Sequence, residues 1–260
     1  MSKRPLDLRA ARVLLSNDDG IHAPGLRRLE RILRGLAREV WVVAPESEQS
    51  AASHSLTLRR PLRIRRISRR RYAVDGTPTD AVLLGVVQVM KDLRPDLVIS
   101  GINRGGNMGE DVTYSGTVAA AMEATLLGIP AIALSQHVPP GGNARWATAE
   151  AHAPQVLQQL AAASWPRNVF INVNFPDVPP AEVTGIRVAK QGRRKPGGAI
   201  LEGVDPAGRP YYWIATARAF EEHSQGSDLE IVYGGGIAVS PMHLDLTHGP
   251  TLRDLEQIFR

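Results

Sequence analysis

Short apolar runs alternate with amphipathic stretches through the first half of the chain. Val13-Leu14-Leu15, Val40 to Val43, Pro95 to Gly101 and Ala131 to Ser135 are runs of strand length, built of apolar and small residues. Such runs mark strands buried on both faces of a parallel sheet. Between the first two, Pro24 to Arg38 places Leu26, Leu29, Ile32, Leu33 and Leu36 at helical spacing among charged residues, with Pro24 suited to a first turn. A second helix runs through Val82, Leu83, Val86, Val87 and Met90, with Thr79 as its cap. A third spans Val118 to Leu127 and closes at Gly128. A fourth extends from about Ala144 to Ala163, with Pro154 as a bend. Repeated strand–helix alternation predicts right-handed β-α-β units wound into a doubly wound parallel sheet.

The pattern changes after about residue 165. Asn168 to Phe175 alternates with period two, and Val183 to Ala189 also reads as a strand. Tyr211 to Ile214 and Leu229 to Val239 read as strands or hairpin arms, with Gly234-Gly235-Gly236 as a turn. Thr251 to Phe259 is a short terminal helix carrying Leu252, Leu255, Ile258 and Phe259 on one side, a stripe to be docked on another subunit or on its own domain. No internal repeat or linker divides the 260 residues. The expected architecture is one α/β domain over 1–260, with a Rossmann-like, mostly parallel core over 12–135. C-terminal strands, a β-hairpin and a tail follow over 168–260.

Composition narrows the classes. No apolar run approaches the ~18 residues of a membrane-spanning helix, and Met1 to Arg12 is polar and basic without an apolar signal region. The absence of cysteine excludes disulfides, thiolate metal sites and a Cys nucleophile, and suits a cytoplasmic protein. The formal charge of +5 suits an anionic substrate. Much of the basic excess lies in Arg59 to Arg71, where Leu62, Ile64 and Ile67 are interleaved. That segment reads either as a solvated strand or hairpin, or as a strip for RNA or polyphosphate. No aromatic residue precedes Tyr72, so base stacking has little to work with and nucleic acid is the weaker partner.

The candidate chemistry sits where the runs end. The first strand stops at Asp18-Asp19-Gly20. In an open α/β sheet, ligands bind beyond the carboxyl ends of the strands. Adjacent carboxylates repel unless a cation, a proton or hydrogen bonds satisfy them, so the pair reads as a divalent-metal site or as a capping Asp beside a solvated turn Asp. The second strand opens into Glu46 to Thr57, with Ser50, and the strand ending at Gly101 into a glycine-rich loop over Ile102 to Gly109, with Asn103. Two carboxylates with neutral oxygens fit Mg²⁺ or Mn²⁺. Ser115-Gly116-Thr117 before a helix supplies what an anion site needs, and would equally make an ordinary cap. It is not a P-loop, because no Gly-Lys-[Ser/Thr] follows the glycines. A Rossmann dehydrogenase would carry Gly-x-Gly-x-x-Gly where Asn17-Asp18-Asp19-Gly20 stands.

These motifs, in this order, resemble the SurE family of metal-dependent nucleotidases. The resemblance rests on Leu14 to Gly20 with His22 to Gly25, and on Val43-Ala44-Pro45 with Ser50. It continues through Asp75 to Asp80, Ser100 to Asn107 and Tyr114 to Glu123, and more loosely through Asn172 to Pro176 and Ser240 to His243. It implies one divalent ion, Mg²⁺ or Mn²⁺, on Asp18, Asp19, Ser50 and Asn103. It also implies phosphate held by Asn107, Ser115, Gly116 and Thr117. The implied reaction is hydrolysis of nucleoside 5′- and 3′-monophosphates, with polyphosphate as a further substrate, by a homodimer or homotetramer that exchanges C-terminal elements. Asp18 and Asp19 are then the catalytic pair, with water attacking in line. The rival is an aspartyl-phosphate intermediate, which the haloacid-dehalogenase signature would mark with a second Asp two residues on; Gly20 stands there. Two departures stand out. Ala51 follows Ser50 where many relatives have glycine, and the glycine run before Ile237 is longer than the family pattern.

Overall fold

Five of the apolar runs form adjacent strands. In the computed structural model, which describes residues 5–194, 199–215 and 223–259, they are β1 (Arg12–Ser16), β2 (Glu39–Pro45), β5 (Leu97–Arg104), β6 (Ala131–Gln136) and β7 (Val169–Phe175). With β3 (Ile64–Ser68), β4 (Arg71–Val74), β8 (Ile186–Val188) and β11 (Ile237–His243) they make a nine-stranded sheet of order β3-β4-β2-β1-β5-β6-β7-β11-β8. The strands from β4 to β7 in that order are parallel, β3 is antiparallel to β4, and β11 is antiparallel to β7. Strands β9 (Ala199–Val204) and β10 (Pro210–Ala215) form a separate antiparallel hairpin.

Alternate residues of each buried strand feed two cores. Val13, Leu15, Ile132 and Leu134 pack with α1 (Pro24–Arg34) and α5 (Trp146–Ala162). Leu14, Ala131 and Ala133 pack with α2 (Pro78–Leu84) and with α4 (Gly116–Leu126), which follows the single turn α3 (Asp111–Tyr114). This two-sided burial is why the strands read as uninterrupted apolar runs. The crossover from β5 to β6 and the crossover from β6 to β7 advance in the same direction, yet α4 and α5 lie on opposite faces. The two crossovers therefore have opposite hands, a departure from the uniform right-handed winding that the alternation predicts.

Other differences have local causes. Helix α1 ends at Arg34, with Gly35 as its C-cap, four residues earlier than its periodicity suggests. Thr77, not Thr79, caps α2: its hydroxyl accepts from Asp80 N–H while Asp80 accepts from Thr77 N–H, a capping box. Strand β5 runs on through Arg104, so Asn103 lies on a strand rather than in a loop. The segment from Leu229 is not a strand at its start but helix α6 (Asp228–Tyr233), and the partner of β10 is β9. The basic segment is a β3–β4 hairpin on the sheet edge, and Arg60, Arg65, Arg70 and Arg71 pair with Asp75, Glu46, Glu39 and Glu30. The terminal helix α7 (Gly249–Ile258) buries none of its residues, so it does not dock on its own domain. Of the basic loop at Lys190 to Gly198, residues 195–198 lie outside the described residues. No helix among the described residues is long and apolar enough to cross a membrane.

Candidate metal centre

The chain leaves β1 toward β2 on one side and later places β5 on the other, so the end of β1 is the switch point of the sheet. Asp18 and Asp19 stand there. Asn17 shapes the turn by donating from Nδ2 to Gly20 O at 3.0 Å, and Gly20 takes φ +94°. Three other segments converge on the pair. Gln49 N–H donates to Asp18 O at 2.8 Å, which brings the Ser50 loop against β1. Arg104 N–H donates to Asp19 Oδ2 at 3.2 Å, which places Asn103 beside it. The Thr117 hydroxyl donates to Asp18 Oδ1, which fixes the start of α4. A Cβ on Gly116 would lie 2.7 Å from Asp18 Cβ, so only glycine admits this approach.

Burial sets the electrostatics. Asp18 is 6% exposed, and burial pushes its carboxyl above its ordinary value against the pull of the Thr117 hydroxyl. Burial, and then the Asp18 charge, push Asp19 up to about 6, while Arg104 N–H pulls the other way. Among the described residues neither carboxylate joins an ion pair. Ser16 Oγ and Asn17 Oδ1, at the end of β1, and Ser100 Oγ, opposite Ser16 within β5, are buried without a protein hydrogen-bond partner. Two shielded carboxylates among neutral oxygens suit a hard divalent cation, so the donor set fits Mg²⁺ or Mn²⁺. No group of three or more His, Asp or Glu that could hold a metal exists among the described residues.

The expected phosphate holders divide. Ser115 Oγ accepts from Val118 N–H at 3.1 Å as the cap of α4, and the Thr117 hydroxyl is committed to Asp18. Asn107 lies in a buried amide network that sequence reasoning missed. Its N–H donates to Asn174 Oδ1 at 2.8 Å, its carbonyl accepts from Asn172 Nδ2 at 2.8 Å and Asn174 Nδ2 at 3.0 Å, and its Nδ2 donates to Ser135 Oγ at 2.8 Å. Two asparagines two residues apart in an otherwise apolar strand were the available signal. The Ser50 loop is strapped down from the α4 side. Ser53 Oγ donates to Thr113 O at 2.8 Å, and His54 Nε2 meets Glu123 Oε2 at 3.0 Å. A cavity of about 440 Å³ opens at the opposite, amino ends of β5, β6 and β7, away from these groups.

Comparison with known proteins shows the family. Residues 13–197 match the family described as survival protein SurE. The chain is 60% identical over 253 residues to the 5′-nucleotidase SurE of Paramagnetospirillum magneticum, covering 97% of each chain. It is 53% identical over 250 residues to that of Parvibaculum lavamentivorans, covering 95% of this chain and 90% of the relative. The crystal structure of the SurE protein from Aquifex aeolicus superposes with a TM-score of 0.84 at 38% identity, covering 95% of this chain and 99% of that one.

Proposed function

The chain belongs to the SurE family, and from that membership we propose that it is a divalent-metal-dependent phosphomonoesterase that releases phosphate from nucleoside 5′-monophosphates. We extend the substrate range to 3′-monophosphates and to polyphosphate. The observation that carries this reading is the pair of a buried Asp18 and a part-buried Asp19 at the switch point, to which Gln49 N–H, Arg104 N–H and the start of α4 are hydrogen-bonded.

In this reading Asp18, Asp19, Ser50 and Asn103 hold one Mg²⁺ or Mn²⁺ ion. When bound, the ion supplies Lewis-acid polarisation of a phosphoryl oxygen. Two carboxylates balance its charge, so the phosphate draws its further donors from the first turn of α4 at Ser115, Gly116 and Thr117, and from Asn107. The first N–H groups of a helix lie outside its own ladder and favour an anion. Asp18 is held by Thr117, which leaves Asp19, the more open carboxylate, to orient the attacking water. Water oxygen bonds to phosphorus, the ester P–O bond breaks, and of the two water protons one ends on the leaving nucleoside oxygen and the other stays with the released phosphate. The protein acts in the cytoplasm as a homodimer or homotetramer. Binding of a nucleic acid or polyphosphate as the main function is the weaker reading, because four of the eight arginines between Arg59 and Arg71 are neutralised by acidic partners.

A phosphate-release screen over nucleoside 5′- and 3′-monophosphates and polyphosphate, with Mg²⁺ and Mn²⁺ in turn, tests the proposal. Activity is expected to vanish in EDTA, to return with metal, and to be lost in Asp19→Asn. Full activity after exhaustive chelation, or wild-type rates in Asp19→Asn, would overturn it.

A further inference from the structure

A serine hydroxyl carries one hydrogen and two lone pairs, so it ligates a cation well only when its hydrogen is directed elsewhere. Ser50 meets this condition. Its Oγ donates to Glu48 Oε1 at 2.6 Å, the short separation of a hydroxyl bound to a charged carboxylate. The turn that carries both residues is fixed against the carboxylate pair. Gln49 N–H donates to Asp18 O, and a Cβ on Gly20 would lie 3.1 Å from the Ser47 carbonyl carbon and 3.3 Å from Glu48 N. The Glu48 charge is felt by both Asp18 and Asp19, raising each. Glu48 nevertheless does not join them in a three-carboxylate cluster.

We propose that Glu48 is a positioning residue of the metal centre. By taking the Ser50 hydrogen it leaves the Ser50 lone pairs free for a cation, so that Ser50 serves as a neutral oxygen ligand. This rests on the reading that Asp18, Asp19, Ser50 and Asn103 hold a divalent cation. Outer partners that orient a ligand commonly set metal affinity by about 10- to 100-fold.

The test is Mn²⁺ binding to the full chain without nucleotide, measured as a dissociation constant by titration calorimetry or by the free-Mn²⁺ electron paramagnetic resonance signal. Five further proteins accompany wild type: Glu48→Ala, Glu48→Gln, Ser50→Ala, the Glu48→Ala/Ser50→Ala double variant, and Asp19→Asn. Glu48 is exposed, so the urea midpoints of its variants are expected to match wild type in EDTA. Glu48→Ala is expected to weaken Mn²⁺ binding about tenfold or more. Glu48→Gln keeps an acceptor for the Ser50 hydroxyl and is expected to lose no more than about threefold. In the Ser50→Ala background the Glu48→Ala loss is expected to shrink to about threefold or less, because the hydroxyl to be oriented is gone. If Glu48→Gln weakens binding as much as Glu48→Ala, and the loss persists undiminished without Ser50, Glu48 acts only as a charge and the proposal is overturned. Mn²⁺ affinity unchanged by Asp19→Asn would overturn the metal-site reading itself, and this proposal with it.

Discussion

The Thr117 hydroxyl, at the first turn of α4, donates to Asp18 Oδ1 at the end of β1, across 99 residues of sequence. Both groups are shut away from water. A buried carboxylate that loses a donor bears the desolvation cost uncompensated. Thr117→Val, which keeps shape and removes the donor, is expected to destabilise the metal-free protein by about 1–3 kcal/mol at pH 8. Thr117→Ser keeps the donor and separates the bond from methyl packing. A Thr117→Val variant whose urea midpoint equals that of wild type would show that the bond contributes nothing.

Asp19 predicts a stability that falls with rising pH. Its folded-state carboxyl titrates at about 6, against 3.8 when unperturbed. Between those values the folded protein binds more protons than the unfolded chain, so this contribution is fully present below about pH 4 and is lost as pH rises through about 6. Asp19→Asn removes the loss, and in EDTA at pH 7.5 it is expected to be more stable than wild type by roughly 1–3 kcal/mol, a gain that fades toward pH 4. Added Mn²⁺ should reverse the ranking, because only a protein that binds the ion gains stability from it. Thermal melts at pH 4 and 7.5, with and without Mn²⁺, check both signs. A less stable Asp19→Asn variant at pH 7.5 in EDTA would contradict the account.

The Ser50 loop holds Ala51 at φ 58° and Ser53 at φ 54°, both in the left-handed region. An L-residue there costs roughly 1–2 kcal/mol, whereas glycine at position 51 would be unstrained but more flexible when unfolded. Ala51→Gly is therefore expected to stabilise the protein by about 0.5–1 kcal/mol, the strain less the entropy. A lower urea midpoint for the variant would show that the loop does not hold this conformation.

The order of the buried strands along the chain, and the place of the Asp18–Asp19 pair at the end of β1, were readable from residue order. Val13 to Leu15 had to be a buried strand, and a strand end in an α/β sheet is where Asp18 and Asp19 acquire meaning. Ser50 follows the neighbouring strand β2 by the same logic, whereas Asn103, expected in a loop, lies on β5 itself. What stayed hidden depends on contacts distant in sequence: the Thr117–Asp18 bond, the space that Gly116 leaves for Asp18, and the amide network joining Asn107 to Asn172 and Asn174. The residues Leu229 to Tyr233 illustrate a different failure. Their β-branched and aromatic side chains suit a strand. Yet Ser227 accepts from Glu230 N–H and Glu230 reaches back to Gly226 N–H at 2.7 Å, and the capping decides for a helix. That Ser-x-x-Glu signal was present in the sequence and outweighs side-chain preference. The opposite hands of the β5–β6 and β6–β7 crossovers had no such local signal.

The terminal helix and the hairpin give the last prediction. Trp213 and Ile214 on β10 are 68% and 80% exposed, and Ile258 and Phe259 at the end of α7 are 71% and 83% exposed. Among the described residues these side chains belong to none of the fold's cores, so their apolar area is open to another chain. Contiguous apolar patches on monomers rarely exceed a few hundred Å², and a stable dimer buries roughly 1,200–2,000 Å² in total. Wild type is therefore expected to sediment as a dimer or larger at micromolar concentration. Trp213→Ser/Ile214→Ser and Ile258→Ser/Phe259→Ser should each shift it toward the monomer. Neither pair of substitutions removes a core contact, so the far-ultraviolet circular dichroism spectrum should not change. If wild type sediments as a monomer, or if both variants leave its sedimentation unaltered, these surfaces do not join subunits.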